Sequence, residues 1–471
     1  MSDDLTVRTI LERIRLAING SDEQFSSTFQ FRCEGEGTYR LVIIDGQCEL
    51  EEGEGEADST VVATADDAVQ IFSGRADSMK AFMEGRMKIE GDLMAMTVLT
   101  QFTPGGVKSS GGPSEHQKID YVAPADSPSY ATWVASADAS SSGRTLRQVA
   151  DDRGLFVGAA INHPKVASAA ELVPREFNQV GAENAFKWHA VANQVGEYDF
   201  TLTDAFADYA AQHDLRLRGH TLIWGRAGRP KDLEVVARAG ADPAATMRGL
   251  MRDHIETMLT RYRGKVAAWD VVNEPMAYGG VGLDPNIFVE TVGEGYVAEA
   301  FHLAREVDAD VELVLNEQIS SNQYADVGGE QFYLFAKKLL DEGVPIDGIG
   351  IQGHQLMGVP DRDALHTYLK RIEDLGVFIE ITEMDMRIGN FAGHEDPLGA
   401  QAEAHQMCAE VFASIPAVRG VMFWGAADTD TWLDHFPPFD AGAPNQPLLF
   451  DRHLEAKPAY YGFKHGLVTA S

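Results

Sequence analysis

The sequence predicts an α/β protein of two domains: a closed barrel of eight parallel strands alternating with helices, preceded by a smaller α+β domain. Three observations carry this expectation. From about residue 145, apolar runs of strand length alternate with helical patterns, and there are eight such runs. Polar residues recur where those runs end, which in a parallel barrel is the edge on which chemistry is built. Before residue 103 the pattern is different, with short strands separated by Glu-Gly and Asp-Gly turn signals.

Bulk properties narrow the function. The chain has 471 residues, too many for one ordinary core. Its 44% hydrophobic and 24% charged content is that of a globular protein. The formal net charge of −33 argues against nucleic acid and anionic membranes as partners, and solubility or a saline setting accounts for it. Three cysteines, Cys33, Cys48 and Cys408, give neither a disulfide framework nor zinc spacing, so they read as buried free thiols. No metal or organic cofactor is expected. The N-terminal Met-Ser-Asp-Asp is acidic with no long apolar run behind it, so a cytoplasmic location is expected rather than secretion. No apolar stretch reaches membrane-spanning length. Oligomeric state is not fixed by any of this.

In order, residues 5–18 place Leu5, Ile10, Leu11, Ile14 and Ile18 at helical spacing. Strands follow over Phe25–Cys33, Thr38–Ile44, Cys48–Glu51 and Thr60–Thr64. Asp66 and Asp67 are candidate caps for a helix holding Val69, Ile71 and Phe72. The run from Ser78 to Met96 is dense in methionine (Met79, Met83, Met87, Met94, Met96), whose flexible thioethers suit an irregular apolar cavity or serve as ordinary core filler. With Gly74 and the acidic strand and helix before it, this run resembles the sterol carrier protein type 2 domain over about residues 5–102. The resemblance implies an apolar tunnel for sterols or fatty acyl chains, closed by the methionines with Phe72, Phe82 and Leu93. A dimerising or substrate-presenting role is the alternative. The domain is therefore set at 1–102, and the Pro/Gly/Ser-rich stretch 103–130 is read as a flexible linker.

The remaining residues, 131–471, hold the barrel. Its strands are expected over Leu155–Ala160, Phe177–Gly181, Leu215–Leu222, Val266–Val272, Glu312–Leu315, Gly348–Ile351, Val377–Thr382 and Val421–Trp424. Helices are expected between them, including Ala244–Arg263, Ile287–Val307, Phe332–Asp341, Arg362–Leu375 and Ala400–Ile415. At the strand ends stand Glu183, His220, Asn273, Glu274, Asn316, Gln352, His354, Glu383 and Trp424. Two glutamates at the ends of two buried strands suffice, as residue types, to cleave a glycosidic bond: one protonates the leaving oxygen while the other attacks the sugar. Alone, each has a plainer reading as a solvated loop carboxylate, and a buried histidine or tryptophan is ordinarily core. Their joint occurrence at strand ends favours a site.

In that order they resemble glycoside hydrolase family 10, the retaining endo-β-1,4-xylanases, over about residues 145–466. The matching blocks are Glu183-Asn-Ala-Phe-Lys-Trp188, Arg218-Gly-His-Thr-Leu-Ile-Trp224, Trp269-Asp-Val-Val-Asn-Glu-Pro275, Ile346–His354, Ile381-Thr-Glu-Met-Asp385, Phe423-Trp-Gly425, Pro447–Asp451 and Lys457-Pro-Ala-Tyr460. The resemblance implies a TIM barrel with Glu274 as general acid/base and Glu383 as nucleophile. It implies that Asn273 grips the sugar 2-hydroxyl and that His354 contacts Glu383, oriented in turn by Asp385. Glu183, Asn184, Lys187, His220 and Gln352 would bind hydroxyls of the sugar before the cut, between walls formed by Trp224, Trp424 and Trp432.

Three stretches depart from the family pattern, one of them Asp430-Thr-Trp-Leu-Asp-His-Phe-Pro-Pro-Phe439, which has its own wording. Trp224 is ordinarily followed by a histidine and a glutamine-bearing loop, but here the text is Gly225-Arg-Ala-Gly-Arg-Pro230. The Asn-Asp-Tyr-Asn motif of the fifth strand reads Asn316-Glu-Gln-Ile319, which removes a tyrosine and an asparagine from the leaving-group side. The leading expectation is a retaining hydrolase of xylan or xylo-oligosaccharides, with a β-xylosyl carbohydrate as its partner molecule. A second version removes sugar from a small glycoside with an apolar, sterol-like or terpenoid aglycone. A different class, a lipid carrier whose barrel only binds sugar, is opposed by the survival of both glutamates and their surroundings.

Overall fold

A computed structural model describes residues 6–19, 26–44, 46–72, 86–91, 130–141, 143–277, 282–356, 358–391, 393–435 and 445–470. The chain forms two compact units, residues 1–121 with 432–444, and residues 122–431 with 445–471.

The first unit is a five-stranded sheet in the order β3-β2-β1-β4-β5. Its strands are β1 (Ser27–Glu34), β2 (Gly37–Ile44), β3 (Gln47–Glu52), β4 (Ser59–Thr64) and β5 (Met87–Gly91). β1 and β4 run parallel at the centre, and the other pairs are antiparallel. The helix Val7–Asn19 buries Ile10, Leu11, Ile14 and Ile18 against one core with Phe29, Phe31, Leu41, Val61 and Phe72. The expected capping of the second helix, Ala65–Phe72, needs correction. Thr64 Oγ1 accepts from the Asp67 backbone N–H at 3.1 Å, so Thr64 takes the cap and the aspartates fill the first turn. Cys33, Cys48 and Cys408 are buried free thiols. Of the methionine-rich run, Met87 is buried, whereas Gly74, Met79, Phe82, Met83, Leu93, Met94 and Met96 lie outside the described residues. So does the expected linker, up to Tyr130, which opens the helix Tyr130–Ser141.

The second unit is the barrel. Eight parallel strands close on themselves in the order β6 (Phe156–Ile161), β7 (Gln179–Ala182), β8 (Arg216–Gly219), β10 (Val266–Asn273), β11 (Glu312–Glu317), β12 (Gly348–Ile351), β14 (Phe378–Met386) and β15 (Val418–Phe423). β15 then pairs with β6 and completes the ring. Each of the eight expected runs became one of these strands. Covered by helices on one side and packed on the other, they are buried nearly throughout, which is why they read as continuous apolar runs rather than alternating ones. Two short additions, β9 (Ile223–Trp224) and β13 (His354–Gln355), extend the rim by pairing with β10 and β14. The single helix expected over Ile287–Val307 is two, Ile287–Thr291 and Tyr296–Val307. Gly293, at φ +93°, lies between them in the left-handed region and ends the first.

Two family motifs turn out to be braces. Lys457 Nζ donates to Asp428 Oδ2 at 2.9 Å and to the carbonyls of Gln446 and Leu448 at 2.7 and 2.8 Å. Tyr460 Oη donates to Glu176 at 2.8 Å. Inside the barrel lies a buried ion cluster. The Arg218 guanidinium is forked onto the Asp270 carboxylate and donates through Nε to Glu380 at 2.9 Å, while Arg216 reaches the other Glu380 oxygen at 3.0 Å. All three of Arg218, Asp270 and Glu380 are essentially inaccessible. Removing one member of such a cluster strands the others without compensation. Arg218→Leu is therefore expected to lower stability by about 3–5 kcal/mol in chemical denaturation.

Candidate active site

Glu274 follows β10 directly, with φ +50°, a left-handed conformation for a residue with a side chain. Its backbone N–H donates to the Asn316 carbonyl at 2.9 Å, which fixes the turn. The carboxyl group that this turn presents accepts from three donors. Gln352 Nε2 reaches Oε1 at 2.8 Å; Trp224 Nε1 and Arg226 Nη1 reach Oε2 at 3.1 and 3.2 Å.

Glu383 lies within β14, almost wholly buried. Asn316 Nδ2 donates to Glu383 Oε1 and to Asn273 Oδ1, each at 2.8 Å, and Asn316 Oδ1 accepts from Thr382 at 2.7 Å. This amide joins β10, β11 and β14 at one level. His354 Nε2 is 3.3 Å from Glu383 Oε2, and its Nδ1 is 2.9 Å from Asp385. His220 Nδ1 bonds Asp270 at 2.8 Å and stands 3.9 Å from Glu383 Oε1. Burial pushes the Glu383 carboxyl up, but the neighbouring His220 and His354 rings and the Asn316 hydrogen bond outweigh it and hold it at about 2. Burial pulls His354 down, yet Asp385 and Glu383 raise it to about 10. The stabilisation from Glu383 is thus in place above about pH 4.5 and is lost as pH falls toward about 2. That from His354 is complete below about pH 6.5 and is lost as pH rises through about 10.

On the β7 side, Lys187 Nζ donates to Asn184 at 2.8 Å and lies 4.9 Å from the Trp224 ring centre and 6.0 Å from that of Trp424. Burial lowers its proton affinity, and the charges of Glu183, Glu383 and Glu274 oppose that. Those three carboxylates therefore converge on one ammonium. Burial raises Glu183 to about 7, against the pull of Lys187. The rings of His220 and His354 meet Trp424 edge-on, with centroids at 5.2 and 6.1 Å.

The structure thus brings together Glu183, Asn184, Lys187, His220, Trp224, Asn273, Glu274, Gln352, His354, Glu383, Asp385 and Trp424. Trp432 is different: it opens the turn Trp432–His435, in the segment 432–444 that groups with the first unit. Three members escaped the sequence reading. Asp270, a lone acid inside an apolar strand, carried a readable signal. Arg226 and Glu317 carried only the fact that they stand in two of the departing stretches. Glu317 is buried, accepts from the Met276 and Gln318 amides at 2.9 and 2.8 Å, and is raised to about 7 by burial. Among the described residues, no group of three or more His, Cys, Asp or Glu is arranged to hold a metal ion, and no helix is long and apolar enough to cross a membrane.

The barrel that carries these two carboxyl groups is similar to known proteins. Residues 145–465 match the family model of glycosyl hydrolase family 10. The chain belongs to glycosyl hydrolase family 10. Residues 18–103 match the SCP-2 sterol transfer family. A β-1,4-xylanase of Dictyoglomus thermophilum is 35% identical over 339 residues, covering 67% of this chain and 89% of that protein. The crystal structure of xylanase 10B from Thermotoga petrophila RKU-1 in complex with xylobiose is 31% identical with TM-score 0.61, covering 69% of this chain and 97% of the other. An intracellular xylanase of Thermoanaerobacterium saccharolyticum, solved with xylotriose, is 31% identical with TM-score 0.60, covering 68% and 98%. This family 10 chain is therefore a glycoside hydrolase whose substrate is a carbohydrate.

Nitrogen-15 NMR can check the charge pattern around Glu383. His354 should remain an imidazolium across about pH 7 to 9. His254 and His405, which burial lowers to about 3 and about 4, should stay neutral over the same range. A neutral His354 at pH 7 would contradict the pattern.

Proposed function

We propose that this chain is a retaining endo-1,4-β-xylanase acting on xylan or xylo-oligosaccharides, with Glu383 as nucleophile and Glu274 as general acid/base. The observation that carries the assignment is the opposite treatment of the two carboxyl groups. Glu383 is buried and held negative by two imidazoles and an amide, which suits a group that must attack without first losing a proton. Glu274 keeps 13% of its side chain exposed and sits on a left-handed turn just past the end of β10.

In the first step a Glu383 oxygen bonds to the anomeric carbon as the glycosidic C–O bond breaks. The Glu274 proton passes to the departing oxygen. Once Glu383 is esterified, its negative charge is gone and Glu274 no longer faces a second carboxylate. Glu274 then takes a proton from water, whose oxygen displaces Glu383 from the anomeric carbon. Two inversions give net retention. The relatives named above, described as xylanases and solved with xylobiose and xylotriose, support the choice of sugar. Asn273, joined to Glu383 through Asn316, grips the 2-hydroxyl in this reading. Glu183, Asn184, Lys187, His220 and Gln352 serve the remaining hydroxyls, with Trp224 and Trp424 as apolar walls for the pyranose CH faces. The likeness to an intracellular xylanase supports an intracellular place of action. An apolar ligand is proposed for the SCP-2-like domain, supported by its family match.

Proton NMR of xylotetraose cleavage should show the β anomer of the new reducing end first, before mutarotation. Glu383→Ala is expected to lose turnover by roughly 10⁴-fold or more, and added azide should yield an α-glycosyl azide. Turnover near the wild-type level in that variant, or initial release of the α anomer, would contradict the assignment.

A further inference from the structure

The loop after Trp224 has its own wording, and the structure gives it a task. Gly225 approaches Asn286 so closely that a Cβ there would lie 2.2 Å from Asn286 Nδ2 and displace the amide that caps the helix Ile287–Thr291. The Gly225 carbonyl accepts from Arg229, and the Gly228 carbonyl accepts from the His189 N–H at 3.0 Å. The loop is therefore fixed at both ends of the turn. Between them it projects Arg226 inward, with only 9% of its side chain exposed. The guanidinium is engaged on three sides: Nη1 with Glu274 Oε2 at 3.2 Å, Nη2 with the Met276 carbonyl, and Nε with Asp284 at 3.5 Å. A cation so committed to the protein is a poor candidate for gripping sugar.

The second departing stretch places a buried carboxylate, Glu317, where its charge acts on Glu274 and is opposed by Arg226. Lys187 also faces Glu274, from the β7 side, and feels Glu383 across the same opening. The charged groups around Glu274 are then Arg226 and Lys187 on the positive side, Glu317 and Glu383 on the negative, with Asp284 behind Arg226. We propose that Arg226 is a positioning residue for Glu274: it holds the Oε2 edge of that carboxyl group and balances the charge of Glu317, so that it sets the alkaline edge of the activity profile. This rests on the reading of Glu274 as acid/base. The loop after Trp224 thus adds a cation beside Glu274 that balances Glu317, an acid at the position where the family motif has its aspartate.

The reaction needs Glu274 protonated in the first half and ionised in the second. Without Arg226, Glu317 faces Glu274 uncompensated, so the proton stays on to higher pH and the base form is disfavoured. For Arg226→Gln, the alkaline limb of kcat/KM on unactivated xylo-oligosaccharides should move up by about one pH unit. Its kcat on a dinitrophenyl β-xylobioside, where the second half limits, should fall roughly tenfold. Arg226→Lys should restore most of the limb's position. Asp284→Asn, which frees the guanidinium from its outer partner, should move the limb the other way, so the test survives if Arg226→Gln does not fold. An unmoved limb in both Arg226→Gln and Asp284→Asn overturns the proposal, whatever the loss of rate. Glu274→Gln separates the two levels: if the alkaline limb persists there, Glu274 is not the acid, and if it vanishes there but is unmoved in the other two, only the role of Arg226 falls.

Discussion

A carboxylate that must attack carbon needs its negative charge, and a barrel interior is a poor place to keep one. The site is the answer to that conflict at Glu383. Its oxygens accept from the Asn316 amide and the His354 ring, with His220 just beyond. Each ring is steadied by an acid of its own, Asp385 for His354 and Asp270 for His220. Asp270 is neutralised by Arg218, and Arg218 is shared with Glu380. A chain of paired acids and bases thus runs from Glu383 into the barrel interior. Broken at one link, a buried charge is stranded, which is why the chemistry and the stability of this unit draw on the same residues.

Glu274 is held by different means. It hangs on a left-handed turn stapled to Asn316 and accepts from three donors on two segments, Trp224 with Arg226, and Gln352. The contrast fits the two duties. A nucleophile must stay in one protonation state until it reacts, whereas an acid/base must change state twice in each cycle. The β7 side of the site follows the family text, whereas the loop after Trp224 departs from it and brings Arg226 onto Glu274.

Much of this was legible in the sequence because barrel strands buried on both faces advertise themselves as apolar runs, and because Glu183, His220, Asn273, Gln352 and Glu383 stand where those runs stop. What was not legible depends on closure. The cross-ring contacts of Arg218 with Asp270 and Glu380 join strands far apart in the text, so no local pattern reports them. The two-residue strands Ile223–Trp224 and His354–Gln355 exist only because β10 and β14 offer free edges at the rim. Arg226 stands in a glycine-rich loop with no pattern to mark it, and its partners Glu274, Met276 and Asp284 lie far on in the chain. The break at Gly293 was hidden by apolar spacing that continues in phase on either side of it.

The central claim is that Glu383 is the group that bonds to sugar. The most direct test is to inactivate the full chain with a 2-deoxy-2-fluoro-β-xylobioside bearing a good leaving group, digest it, and read the labelled peptide by mass spectrometry. The account predicts one covalent xylobiosyl adduct, on Glu383 within the peptide spanning Phe378–Met386. A label on any other residue, or steady hydrolysis of the reagent with no adduct formed, would contradict it.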